Sequence, residues 1–190
     1  MPPKFRLIPN LPGGDFRVRD FGWTKPTADP SVGVLVEFDP LSNTPWVGNF
    51  APGGWTGHCS ALPFIDGRRV VVLAAGRTYL VDPERHRVDA ELSEFAVDAY
   101  EATEPPLLIV NWHGICFEAY DASGMKWRTR RVSWDGIQNA EVTGSILTAE
   151  TWSAPYQRWV PVSVDLHTGQ ATGGAYDFPD AANDETLAKS

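Results

Sequence analysis

The 190-residue chain has only two cysteines, Cys59 and Cys116, and no CxxC pair or Cys/His grouping at zinc-binding spacing. A disulfide-framed scaffold and the common structural zinc sites are therefore excluded. Two buried free thiols are expected, with a single Cys59 to Cys116 disulfide as the alternative. Long hydrophobic runs are also missing. The longest, residues 70–75, falls far short of the roughly 18 to 20 apolar residues of a spanning helix. The opening MPPKFRLIPNLPGG carries no signal-peptide core and is interrupted by Pro2, Pro3, Pro9 and Pro12. No membrane partner and a cytoplasmic location are the expectation. Positive charge is scarce: 16 Lys and Arg stand against 24 Asp and Glu, a formal net charge of −8. Nucleic acid binding needs clustered cations, so it is set aside. The one basic group, Lys126, Arg128, Arg130 and Arg131, reads as a solvated strand face.

Helical signals are scarce too, the best being 91–100 and 180–188, both short or weakly apolar. What is present instead is a strand-and-turn grammar. Segments 32–38, 69–74, 78–81, 107–111, 115–120, 126–132, 145–152 and 159–166 are short, rich in β-branched and aromatic residues, and bounded by Gly, Pro, Asp or Asn. An apolar fraction of 43% is enough for a real core in a chain of this length. One β domain is expected over 15–176, with a Pro-rich lead at 1–14 and a flexible acidic tail at 177–190.

Four of these strands end alike, on an apolar residue, an Asp and a polar turn. They are Phe38-Asp39-Pro40, Val81-Asp82-Pro83, Tyr120-Asp121-Ala122 and Val164-Asp165-Leu166. An Asp there can fold its carboxylate onto the following backbone N–H groups and close a hairpin. The four Asp lie 43, 39 and 44 residues apart, close to the roughly 40 to 45 residues of a four-stranded propeller blade. The expected fold is all-β, about four antiparallel repeat units in a propeller-like arrangement, with a β-sandwich or curved antiparallel sheet as the alternative. Segments Gly76-Arg77-Thr78-Tyr79-Leu80-Val81-Asp82-Pro83 and Val164-Asp165-Leu166-His167-Thr168-Gly169 resemble the strand-plus-turn of quinoprotein-like and other Trp-rich propeller repeats. The stretches Trp134-Asp135-Gly136-Ile137 and Trp159-Val160-Pro161-Val162 are similar to the carboxyl-terminal halves of bacterial proteins with no assigned activity, which implies no function.

Eight tryptophans are the most unusual feature of the composition. Each alone is expected in the core, but together they could form one exposed aromatic patch. Trp46 and Trp55, set among Pro45, Pro52, Gly53 and Gly54, are the loop candidates, and Trp112 the third. His58 and His113 complete the candidate binding residues, while His86 and His167 fall in the repeated turns and are expected at the surface. His58 adjoins Cys59, but neighbours on a strand point to opposite faces, which counts against that pair as a catalytic dyad. Cys59 with His113, or Cys116 with His58, carries no family signature. No phosphate-binding glycine motif is present. No catalytic residue, metal ligand or cofactor is assigned.

These residues point to a binding or interaction protein rather than an enzyme. The acidic balance suits a basic protein partner, whose encounter it would steer and whose activity it could neutralise. The competing reading is a carbohydrate- or small-metabolite-binding protein or hydrolase with Trp platforms. A third has the units completing a larger ring by self-association through exposed strand edges.

Overall fold

A computed structural model describes residues 3–14, 17–23 and 33–176. It contains sixteen strands and, among the described residues, no helix. The first sheet holds β1 (Lys4–Ile8), β2 (Arg17–Phe21), β3 (Val34–Asp39) and β4 (Trp46–Phe50) in the order β1-β3-β4-β2. The second runs β5 (Cys59–Pro63), β6 (Val70–Ala74), β7 (Arg77–Asp82), β8 (Arg87–Ser93). The third runs β9 (Ala96–Thr103), β10 (Pro106–Trp112), β11 (Cys116–Asp121), β12 (Gly124–Arg128). The fourth runs β13 (Ile137–Thr143), β14 (Ile146–Ser153), β15 (Arg158–Asp165), β16 (Ala171–Gly173). Every pairing is antiparallel except that of β2 with β4. The expected all-β fold of four propeller-like units is therefore what the chain adopts, and no sheet closes on itself. No helix is long and apolar enough to cross a membrane.

Successive sheets stack face to face through three apolar layers. Val36, Phe38, Trp46 and Phe50 meet Val72 and Tyr79 between the first two sheets. Leu73 and Leu80 meet Leu108, Val110 and Tyr120 between the second and third. Ile109 and Phe117 meet Leu147, Val162 and Val164 between the third and fourth. The middle strands of the second and third sheets are thus covered on both faces, which explains runs such as Val70–Ala74, buried at every position. Among the described residues no apolar layer joins the fourth sheet to the first. On the fourth sheet the residues alternating with buried Leu147, Ala149, Val162 and Val164 are Ile146, Thr148, Glu150, Trp152, Trp159, Pro161 and Ser163, none of them buried, a mixed face on which the Trp152 and Trp159 rings meet at 5.4 Å.

The Asp-ended turns share one rim. The Glu84 carboxylate accepts from the N–H of Leu41 and of Ser42, and Trp46 Nε1 donates to Pro83 O at 3.0 Å. Asp82, Asp121 and Asp165 accept from the N–H of Arg85, Ser123 and Thr168 at 3.1, 2.7 and 3.0 Å, as the repeat predicts. The hydrogen bonds from Ser123 hold the Asp121 carboxyl below its ordinary value, and those from Thr168 do the same for Asp165. In the Asp39 turn this bond is replaced by Asn43 Oδ1, which accepts from Thr44 N.

Several expectations are corrected. The scarcity of helical signals holds at segment 91–100, which ends β8 and begins β9 around Glu94 and Phe95. The N-terminal lead contributes β1, whose Phe5 and Leu7 pair with Phe38 and Val36. His86 is 4% exposed and stacks on Trp46 at 5.0 Å, because a positive φ of 52° turns it inward. Cys59 is exposed, Cys116 is buried, and both are free. The tail 177–190 lies outside the described residues.

Candidate functional site

The rim opposite the Asp turns is where the aromatic residues gather. It is organised by backbone hydrogen bonds passing from sheet to sheet: Trp55 N to Ala75 O at 3.0 Å, Ala96 N to Gly76 O at 2.8 Å, His113 N to Phe95 O at 2.7 Å and Gly136 N to Gly114 O at 3.0 Å. Two tight turns make this possible. Ala75 and Gly76, with φ of 48° and 110°, join β6 to β7, and His113 and Gly114, with φ of 59° and 70°, follow β10. Paired positive φ values are the signature of turns that match strand twist. His113 is held in this conformation, with Ile115 N donating to Trp112 O at 3.1 Å.

On this frame Trp55, Phe95, Trp112 and His113 form one cluster. Trp55 lies 4.1 Å from the His113 ring and 5.5 Å from Phe95, edge to face at 85°. Phe95 is 5.2 Å from His113 and 6.2 Å from Trp112, again nearly perpendicular at 89°. These are favourable quadrupole geometries, made by rings of which Trp55 is 45% and Phe95 36% exposed. The Arg128 guanidinium covers Trp112 at 4.5 Å, a cation over a ring face.

Carboxylates frame the cluster. A groove of about 270 Å³ beside it is lined by Glu91, Glu94, Phe95, Trp112, Glu118 and Arg128, among others. Glu91 pairs with Arg77 at 2.7 Å. Glu118, 1% exposed, is bound by the Arg128 guanidinium and accepts from Tyr120 OH at 2.6 Å. Glu94 makes no ion pair among the described residues.

Three of the five residues singled out from the sequence, Trp55, Trp112 and His113, are thus brought together. His58 sits close by, its carbonyl accepting from Ala75 N at 3.1 Å, with its Nε2 3.3 Å from both Asp98 Oδ1 and Ser60 Oγ. A serine-histidine-carboxylate relay needs the hydroxyl and the carboxylate on different ring nitrogens. Here both face the same one, so the trio cannot pass a proton through the ring. Trp46 is a correction: it is the first residue of β4, not part of a loop, and is 0% exposed, stacked on Phe38 at 4.6 Å.

Phe95 was not legible as a site residue. Its only signal is the break at Ser93-Glu94 between two strands whose charged residues alternate with Val, Ala and Tyr. Burial pushes the Cys116 thiol up to about 12, which keeps it protonated and unreactive at neutral pH. Among the described residues no hydrogen bond joins either cysteine sulfur to a histidine; Cys59 Sγ meets Gly57 O at 3.9 Å. No group of three or more His, Cys, Asp or Glu side chains there is placed to hold a metal ion. A cavity of about 460 Å³ lies further along the same rim and contains none of the five residues.

No family model matches this chain, and no curated protein matches it in sequence. Among solved structures, it is similar to the complex of KlAtg21 with the coiled-coil of AgAtg16, at 13% identity and a TM-score of 0.46, over 75% of this chain and 49% of that one. It is also similar to the glutaminyl cyclase of Myxococcus xanthus, at 15% identity and a TM-score of 0.36, over 74% of this chain and 61% of that one. The chain spans about half to three-fifths of the length of these two structures.

Proposed function

We propose that this protein is a non-enzymatic binding protein that holds a basic protein partner on the rim carrying Trp55, Phe95, Trp112 and His113. The observation that carries the reading is the ring cluster itself, with Trp55 and Phe95 exposed and the Glu94 carboxylate beside it. Interface centres favour aromatic residues in contact with one another, bordered by polar groups. The groove beside the cluster holds a single Trp, whereas a sugar site would call for a deeper pocket with stacking rings on facing walls. The net charge of −8 would speed the encounter with a basic partner and make it sensitive to salt.

The test is affinity capture from a lysate of the source organism at moderate and at high salt. One stoichiometric basic protein, released at high salt, is the expected result. Capture of nothing, or only of proteins indifferent to salt, contradicts the reading.

A further inference from the structure

The cavity of about 460 Å³ has the opposite electrostatic character from the rest of the molecule. Its walls come from the β14–β15 hairpin and from two chain segments that cross its mouth. Ser153 and Arg158 face each other across the hairpin in register, and Thr151 pairs with Val160 two residues on, so Ser153, Arg158 and Val160 share one face. The turn between the strands carries Tyr156, 73% exposed, with the Arg158 guanidinium 5.6 Å from its ring centre. Facing the hairpin are Trp134 and Tyr176, their rings 4.7 Å apart. Behind them Arg131 lies 4.3 Å from the Tyr176 ring and donates to Trp134 O at 2.7 Å.

Two features of this cavity point to a ligand. No Asp or Glu lines it, although the chain as a whole is acidic. Arg158 has no ion pair and no hydrogen bond among the described residues, only the ring contact. The volume is in the range of sites for small organic molecules.

We propose that this cavity binds a small ring-bearing anion. The ring stacks on Trp134 and Tyr156, and the carboxylate or phosphate meets Arg158. This site is separate from the aromatic rim cluster and does not depend on the partner-binding reading.

The test uses two matched probe pairs, adenosine monophosphate with adenosine and benzoate with benzamide, titrated at low salt with tryptophan fluorescence and calorimetry. The charged member of at least one pair is expected to bind about tenfold more tightly than its neutral match. Arg158→Gln removes that preference while leaving the neutral probe unchanged, Arg158→Lys retains most of it, and Trp134→Phe abolishes the fluorescence response. Arg158 is exposed, so these variants fold, which thermal unfolding verifies. Equal affinity for charged and neutral probes, undiminished anion binding by Arg158→Gln, or no saturable binding of either pair at millimolar concentration overturns the proposal.

Discussion

A Cβ on Gly76 would lie 2.7 Å from the Cβ of Trp55. The rim cluster therefore depends on a residue without a side chain in the β6–β7 turn, where φ is +110°. Gly76→Ala suffers both the collision and the backbone strain, and is expected to lose roughly 1–3 kcal/mol and to displace Trp55. Gly54→Ala, with φ of +74° and nothing within 4 Å, carries the strain alone. Urea unfolding with the Trp55 indole resonance as a local probe distinguishes the two.

Trp46 and Trp55 were alike in the sequence and differ in the fold. Trp46→Ala removes a ring stacked between Phe38 and His86 and is expected to cost about 3–5 kcal/mol. Trp55→Ala, half exposed, should cost about 1 kcal/mol or less. Equal shifts in the urea midpoints would refute the placement of these two residues.

His86 links stability to pH. Burial, with help from nearby Arg19 and Arg17, lowers its pKa below the ordinary value, and its Nε2 has no partner. The unfolded chain then binds the proton more readily than the folded one. The contribution is complete above about pH 6.5 and is lost as pH falls through the folded value. His86→Asn, which tolerates the positive φ, is expected to flatten the dependence of unfolding free energy on pH just below 6.5. Asp121 and Asp165, also lowered, act in the more acidic carboxylate range and do not obscure this window.

The Glu118 carboxylate is 1% exposed and Arg128 is its cation. Arg128→Ala leaves that charge buried and unpaired, for an expected loss of about 3 kcal/mol. The double variant Arg128→Ala with Glu118→Gln should recover part of it, because a neutral amide is less costly to bury. An additive double-mutant cycle would contradict this pairing.

Which strands could be read from the sequence follows from where they sit. β6, β7, β10 and β11 are middle strands packed between sheets, so their runs of Val, Leu, Ile and Phe announce themselves, while β14 and β15, covered on one face, show alternation instead. β1, β8, β9 and β13 lie at sheet margins with mostly half-exposed or exposed residues, and their charged residues mask the alternation. β4 is wholly buried, yet Pro45, Pro52, Gly53 and Gly54 around it suggest a loop; within it Gly48 leaves the space that the Phe50 ring occupies and that a side chain there would contest. In the site, glycine context located Trp55 and His113. Phe95 and the Trp134 cavity depend on contacts between sheets, which no local pattern records.

The central claim is that the Trp55 rim holds the partner. Its most direct measurement is quantitative capture by the wild-type protein, by Trp55→Ala and Phe95→Ala on that rim, and by Leu41→Ala and Asn43→Ala on the opposite one. The account predicts that the first two lose about tenfold or more of the bound partner, as truncated interface anchors do, while the last two retain it. Retention by Trp55→Ala and Phe95→Ala, or loss confined to Leu41→Ala and Asn43→Ala, would contradict it.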